Sequence, residues 1–165
     1  MKQFLISLLI GLIISFSGCY QDQDSLADVE VGRMDSYYFE NDIEVLIIED
    51  AFIYVHDNIT YKADTSDYWQ IPEETDQLKT GDCEDMAILF MYLCKTKLNI
   101  NSDLVYIEKG SDSHVLPKIN GTFYEIKNFF TCTVLIDGWV EQWSCTYDET
   151  IWMTYNYHNN VGQYY

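Results

Sequence analysis

Lys79-Thr80-Gly81-Asp82-Cys83-Glu84-Asp85-Met86-Ala87 is the stretch where polar, turn-rich sequence gives way to apolar helical periodicity. From it onward Cys83, Met86, Ala87, Phe90, Met91, Cys94 and Leu98 recur at the three- and four-residue spacing of one helix face, which must meet a core. Asp82 is suited to cap that helix, because a short carboxylate can accept from the unpaired first-turn N–H groups. Asp85, three residues on, takes the acidic position of a capping box. Cys83 therefore falls in the first turn of a buried helix. A thiol there feels orphan N–H groups and the positive dipole end, both of which favour thiolate. The neighbouring Asp82, Glu84 and Asp85 oppose that charge, so a compensating cation is expected. An imidazolium would serve, supplying a nucleophile and a general acid together.

Working outward, Ile43, Leu46, Ile47, Ala51, Tyr54 and Val55 follow helical spacing and predict a helix from about residue 42 to 58. Ala63 to Gly81 reads as a polar, turn-rich connection. Beyond the central helix, Leu104 to Ile107 and Val115 to Ile119 read as strands, and Asn120-Gly121 is a strong two-residue hairpin signal leading into Thr122 to Ile126. A helix followed by antiparallel strands implies an α+β fold. The tail from Phe129 is rich in aromatic residues, which either shape a cleft or close the core, and Asp148 is a candidate cap for a last short helix.

The chain's 165 residues suffice for one core, so a single domain over residues 40–165 is expected behind an N-terminal leader. With 27 acidic against 9 basic residues the net charge is −18, which repels phosphate backbones and argues against nucleic acid as a partner. Lys2 precedes an apolar run from Phe4 to Phe16 that is too short for a comfortable membrane span, and Phe16-Ser17-Gly18-Cys19 ends it with small residues before a cysteine. That pattern resembles a lipoprotein signal peptide over residues 1–18 with lipidation at Cys19, although lipoboxes usually carry an aliphatic residue where Phe16 stands. Residues 19–39 then form an acidic tether. The expectation is a membrane-anchored protein of the cell envelope, facing the periplasm or the exterior. Disulfides are permitted there. Cys132 and Cys145 flank a turn at Asp137-Gly138, and a bridge between them is one pairing that would leave Cys83 and Cys94 as thiols; spacing alone does not choose.

The chain has three histidines. His114 opens a strand downstream of Cys83 and can approach from the sheet packed on the helix, whereas His56 ends the first helix and His158 lies in the aromatic tail. His114 is the candidate base.

Trp69-Gln70-Ile71-Pro72-Glu73-Glu74-Thr75, the Lys79 to Ala87 block, and His114 ahead of a hairpin with Gly121 and Tyr124 together resemble the bacterial transglutaminase-like cysteine proteinases, across residues 40 to 128. The resemblance implies a papain- or transglutaminase-like fold, with Cys83 attacking an acyl carbon, His114 shuttling the proton and an acid on the following strand orienting the imidazole. Relatives place that acid about six residues past the hairpin glycine, where this chain has Lys127. A two-residue hairpin, however, sets His114 across from Lys127 and makes Glu125 its diagonal neighbour on the same face. Glu125 is therefore the expected third member, with Asn128 as the papain-like alternative. Trp69 could line the acyl pocket or support the oxyanion, or simply belong to the core.

Acyl transfer through Cys and His needs no cofactor. Some relatives are calcium-dependent and hold the ion with acids that flank the cysteine, positions matched by Asp82 and Glu84; two carboxylates alone do not make a calcium site. The implied activity is peptidase or amidase chemistry on protein or peptide substrates, with water as acceptor. One alternative is protein crosslinking by a lysine amine through the same residues. Another is a non-catalytic binding or structural lipoprotein that keeps the fold.

Overall fold

A computed structural model of the protein describes residue 39 and residues 43–64, 68–135 and 137–161, with side chains described as far as residue 156. The leader, Cys19, the tether up to residue 38 and the His158 side chain lie outside the described residues. Among those described, no helix is long and apolar enough to cross a membrane.

The architecture is mixed α and β, with four helices around a five-stranded antiparallel sheet. The central helix, α3 (Cys83–Leu98), is buried on nearly every side: Ala87, Ile88, Leu89, Phe90, Met91 and Cys94 have no exposed surface. The sequence stripe predicted one buried face. The other faces are covered by α1 (Ile48–Asn58), α2 (Pro72–Leu78) and α4 (Tyr147–Val161). Each fully buried Leu, Ile or Phe contributes roughly 1.5–3 kcal/mol, so this helix anchors the domain.

The sheet is ordered β6-β5-β4-β3-β7, with β3 Asp103–Lys109, β4 Asp112–Ile119, β5 Thr122–Glu125, β6 Phe130–Cys132 and β7 Val140–Thr146. Ile119 pairs with Thr122 and Lys118 with Phe123, so Asn120 and Gly121 are the whole loop. Both have positive φ (48° and 83°), as the tight hairpin turn favoured by strand twist requires. The sheet has two apolar faces. Val115, Ile119, Leu104 and Ile126 join the α3 core, while Val105, Ile107, Leu116 and Phe123 form a second cluster on the far face with Leu135 and Trp139.

Several expectations need correction. The first helix starts at Ile48 rather than near 42, because the Asp50 carboxylate accepts the backbone N–H groups of Leu46 and Ile47 and stops the helix there. The connection from 63 to 81 is not all loop: Pro72 opens α2 at its first turn, with Glu73 and Glu74 beside it, and Thr80–Gly81 (β2) pairs in parallel with Thr60–Tyr61 (β1). The last helix runs 15 residues, and its cap is Thr146 rather than Asp148; the Thr146 N–H and hydroxyl both donate to Glu149. Cys132 and Cys145 are both free thiols. They sit on the two opposite edge strands, β6 and β7, about 19 Å apart at the usual strand spacing, far beyond disulfide reach.

Candidate active site

Cys83 is the first residue of α3, and the segment before it is held by one carboxylate. Asp85 Oδ2 accepts the Asp82 N–H at 3.1 Å and Oδ1 accepts the Gln70 N–H at 2.8 Å, tying the Trp69-Gln70 strand of chain to the helix start. Trp69 packs, half-buried, against the α3 core. Gly81 leaves room for this arrangement, since a Cβ there would meet the Asp85 Cβ at 2.6 Å. The Gly-Asp-Cys-Glu-Asp block is thus a packing unit as well as a candidate nucleophile site.

His114 and Glu125 are in contact: Nε2 lies 2.6 Å from Glu125 Oε2. The pair follows from the hairpin. The two-residue loop extrapolates to His114 opposite Lys127, and Glu125, two residues earlier, shares the face. Glu125 is only 7% exposed, and its other oxygen, Oε1, is buried without a hydrogen-bond partner. Asn128 lines the neighbouring cleft, while the carboxylate on the imidazole is that of Glu125. With Nε2 so engaged, Nδ1 is the ring nitrogen left for a substrate or a thiol.

Cys83, His114 and Glu125 line one narrow gap of about 10 Å³ with Val115, Pro117, Ile126 and Lys127. It is barely the size of one water. The gap lies between β4 and the chain that leaves β5, where strand pairing has ended. On the far face of the sheet, His114, Glu125 and Lys127 also line an open cleft of about 440 Å³. The imidazole and its carboxylate therefore stand between Cys83 and open space.

In this conformation the Cys83 thiol donates to Glu84 Oε2 at 3.1 Å. Burial raises its pKa, the charge and hydrogen bond of Glu84 raise it further, and Asp82 adds to the same effect; a bond from the Val115 backbone pulls the other way. The net direction is upward, opposite to what the helix-end field alone would give. Glu84 is itself pushed up by burial and by sharing a hydrogen bond with Asp82. Burial likewise raises Asp85. Asp82 and Glu84 lie buried at the helix start, and among the described residues no group of three His, Cys, Asp or Glu side chains could hold a metal ion.

Two neighbours were not singled out in the sequence. Tyr61, placed beside Gly81 by the β1–β2 pairing, lines the cleft, and its phenol is raised by burial and by the nearby Cys83, Asp82, Glu84 and Glu125. Lys127 sets its amine 3.7 Å over the Tyr61 ring. Only the three-dimensional pairing of β1 with β2 brings Tyr61 here; a two-residue strand gives no sequence signal. His56 is elsewhere, against Asp57 and Phe129. In comparisons with known proteins, no family model matches the chain and no curated protein matches it.

Proposed function

We propose that the protein is a transglutaminase-like cysteine peptidase or amidase, exported and held at the cell envelope by lipid on Cys19. The observation that carries the reading is the His114–Glu125 pair at 2.6 Å sharing a gap with a cysteine at a helix N-terminus. A carboxylate on one ring nitrogen fixes the imidazole's tautomer and orientation, which is what a base next to a nucleophile requires. The papain- or transglutaminase-like fold belongs to the same proposal.

The reaction runs as follows. His114 Nδ1 takes the Cys83 proton, and the thiolate adds to the amide carbon. The imidazolium returns the proton to the departing amine as the C–N bond breaks, leaving a thioester on Cys83. Water, deprotonated by His114, adds to the thioester, and the thiol leaves with the acid product released. The Glu125 carboxylate stabilises the imidazolium and holds its orientation. Trp69 stands close to the helix start and can wall the acyl site. A lysine amine in place of water would give crosslinking, and incorporation of a labelled amine separates the two outcomes.

The Glu84 contact favours one rival, a binding module that keeps the fold, because it holds the thiol protonated. Alkylation decides. A catalytic Cys83 reacts with iodoacetamide faster than Cys94 and loses ~10²–10⁴-fold in turnover on His114→Ala. Equal reactivity of the two thiols, unaffected by His114→Ala, overturns the proposal in favour of the module.

A further inference from the structure

On the α3 side of the sheet, one row of side chains runs from Cys83 to the sheet edge. Val115 of β4 lies opposite Tyr106 of β3, and Tyr106 lies opposite Trp143 of β7, the edge strand. The row begins at the candidate nucleophile, since Val115 and Cys83 line the same gap. It ends in solvent: the Tyr106 and Trp143 rings are stacked, with centroids 5.3 Å apart and planes within 9°, and Trp143 is 42% exposed. Two residues along β3, the Glu108 carboxylate accepts the Tyr106 hydroxyl at 2.9 Å. Among the residues of the five strands, Glu108 is the one charged side chain that alternation places on this face; the strand lysines, Lys109 and Lys118, fall on the far face with Val105 and Ile107.

A stacked, exposed indole with a carboxylate nearby and no lysine on the same sheet face has the chemistry to hold a cation. The ring quadrupole attracts positive charge, and the carboxylate supplies an opposite charge and acceptor oxygens. The net charge of −18 draws cations to the molecule and repels anions. We propose that Tyr106, Trp143 and Glu108 form a docking shelf for a basic side chain of the peptide substrate. Arginine fits it better than lysine, because a planar guanidinium can lie flat on an indole while donating to a carboxylate. The proposal rests on the amide-cleaving reading for its place in a reaction, and it names the substrate class: peptides with a basic residue near the bond that is cut. Two strand spacings separate Val115 from Trp143 by about 10 Å, so the basic residue stands about two or three positions from that bond.

The test separates binding from chemistry. Full-length chain carrying Cys83→Ala, in non-ionic detergent micelles, is titrated with the capped tripeptide acetyl-Gly-Arg-Gly-amide. Parallel titrations use citrulline, leucine or glutamate in place of arginine, and methyl glucoside as a sugar probe. Binding is read by ligand-observed NMR. Citrulline keeps the planar shape of arginine without its charge, and the arginine peptide is expected to bind about fivefold or more tighter than it, by a ratio that narrows as salt is added. Trp143→Leu keeps an apolar side chain but removes the π face, and should abolish that ratio; Trp143→Phe should retain part of it. Glu108→Gln should weaken the arginine peptide by about twofold or more. Citrulline or leucine binding as tightly as arginine, the sugar binding more tightly than the peptide, no binding by any probe, or an undiminished ratio in Trp143→Leu overturns the shelf. Because Cys83 is already absent, a failed alkylation test of the catalytic reading would leave this result standing, and the converse also holds.

Discussion

Replacing Glu84 with glutamine should make Cys83 more reactive, and the size of the effect can be worked from the site. The carboxylate oxygen lies 3.1 Å from the sulfur. At that separation and an effective dielectric near 20, a thiolate and a carboxylate repel by roughly 5 kcal/mol. Halving this for the water that reaches a partly exposed thiol leaves a drop of about 2 pKa units in Glu84→Gln. Below both thiol pKa values the thiolate population then rises about 100-fold, while the less basic sulfur loses about eightfold in intrinsic nucleophilicity, a net gain near tenfold. The assay is iodoacetamide alkylation followed by mass spectrometry, with buried Cys94 as the internal control. It belongs at about pH 8.5, where the wild-type Glu84, raised to about 7, is ionised. An unchanged or slower Cys83 rate would show that Glu84 does not hold the thiol protonated.

Other perturbations follow from the same cluster. Gly81→Ala drives a Cβ to 2.6 Å from Asp85 Cβ, and Asp85 cannot yield because it holds two backbone N–H groups; a loss of about 1–3 kcal/mol in urea unfolding is expected, and full stability would refute the packing argument. Burial raises Glu84 from 4.5 to about 7 and Asp85 from 3.8 to about 8, so above the ordinary values the folded chain holds more protons than the unfolded one. Their contribution to stability is therefore largest at low pH and declines as pH rises through those windows; the urea midpoint should fall from about pH 5 to about pH 8, and the Glu84→Gln/Asp85→Asn double variant should flatten that slope. Without reductant, Cys83, Cys94, Cys132 and Cys145 should all titrate as thiols after unfolding, and a mass lower by two hydrogens would contradict the placement of Cys132 and Cys145 on opposite sheet edges.

What could be read in the sequence was what short-range chemistry determines. The α3 start is encoded by Asp82 and Asp85 within one turn, and the hairpin by Asn120-Gly121, whose backbone demands leave little choice of register. Register then carries information well beyond the turn, because the two-residue period decides which side chains share a face; this is how Glu125, on the face of His114, comes within reach of its imidazole. Two signals were local and overlooked: Pro72 with Glu73 and Glu74 opening α2, and Thr146 with Glu149 forming a capping box for α4. The rest was not local. β6 and β7 exist because β5 and β3 offer them edges, and the exposed residues of β7 show no alternation to mark it as a strand. The same parity that pairs His114 with Glu125 also puts both on the side of Ile107 and Leu116, away from the α3 core. Sequence spacing could name the nucleophile and base candidates but not the faces from which they approach each other. That division bears on the chemistry: the imidazole and its carboxylate line both the open cleft, where Trp139 stands beside them, and the narrow gap that holds Cys83, so His114 is the group common to both sides.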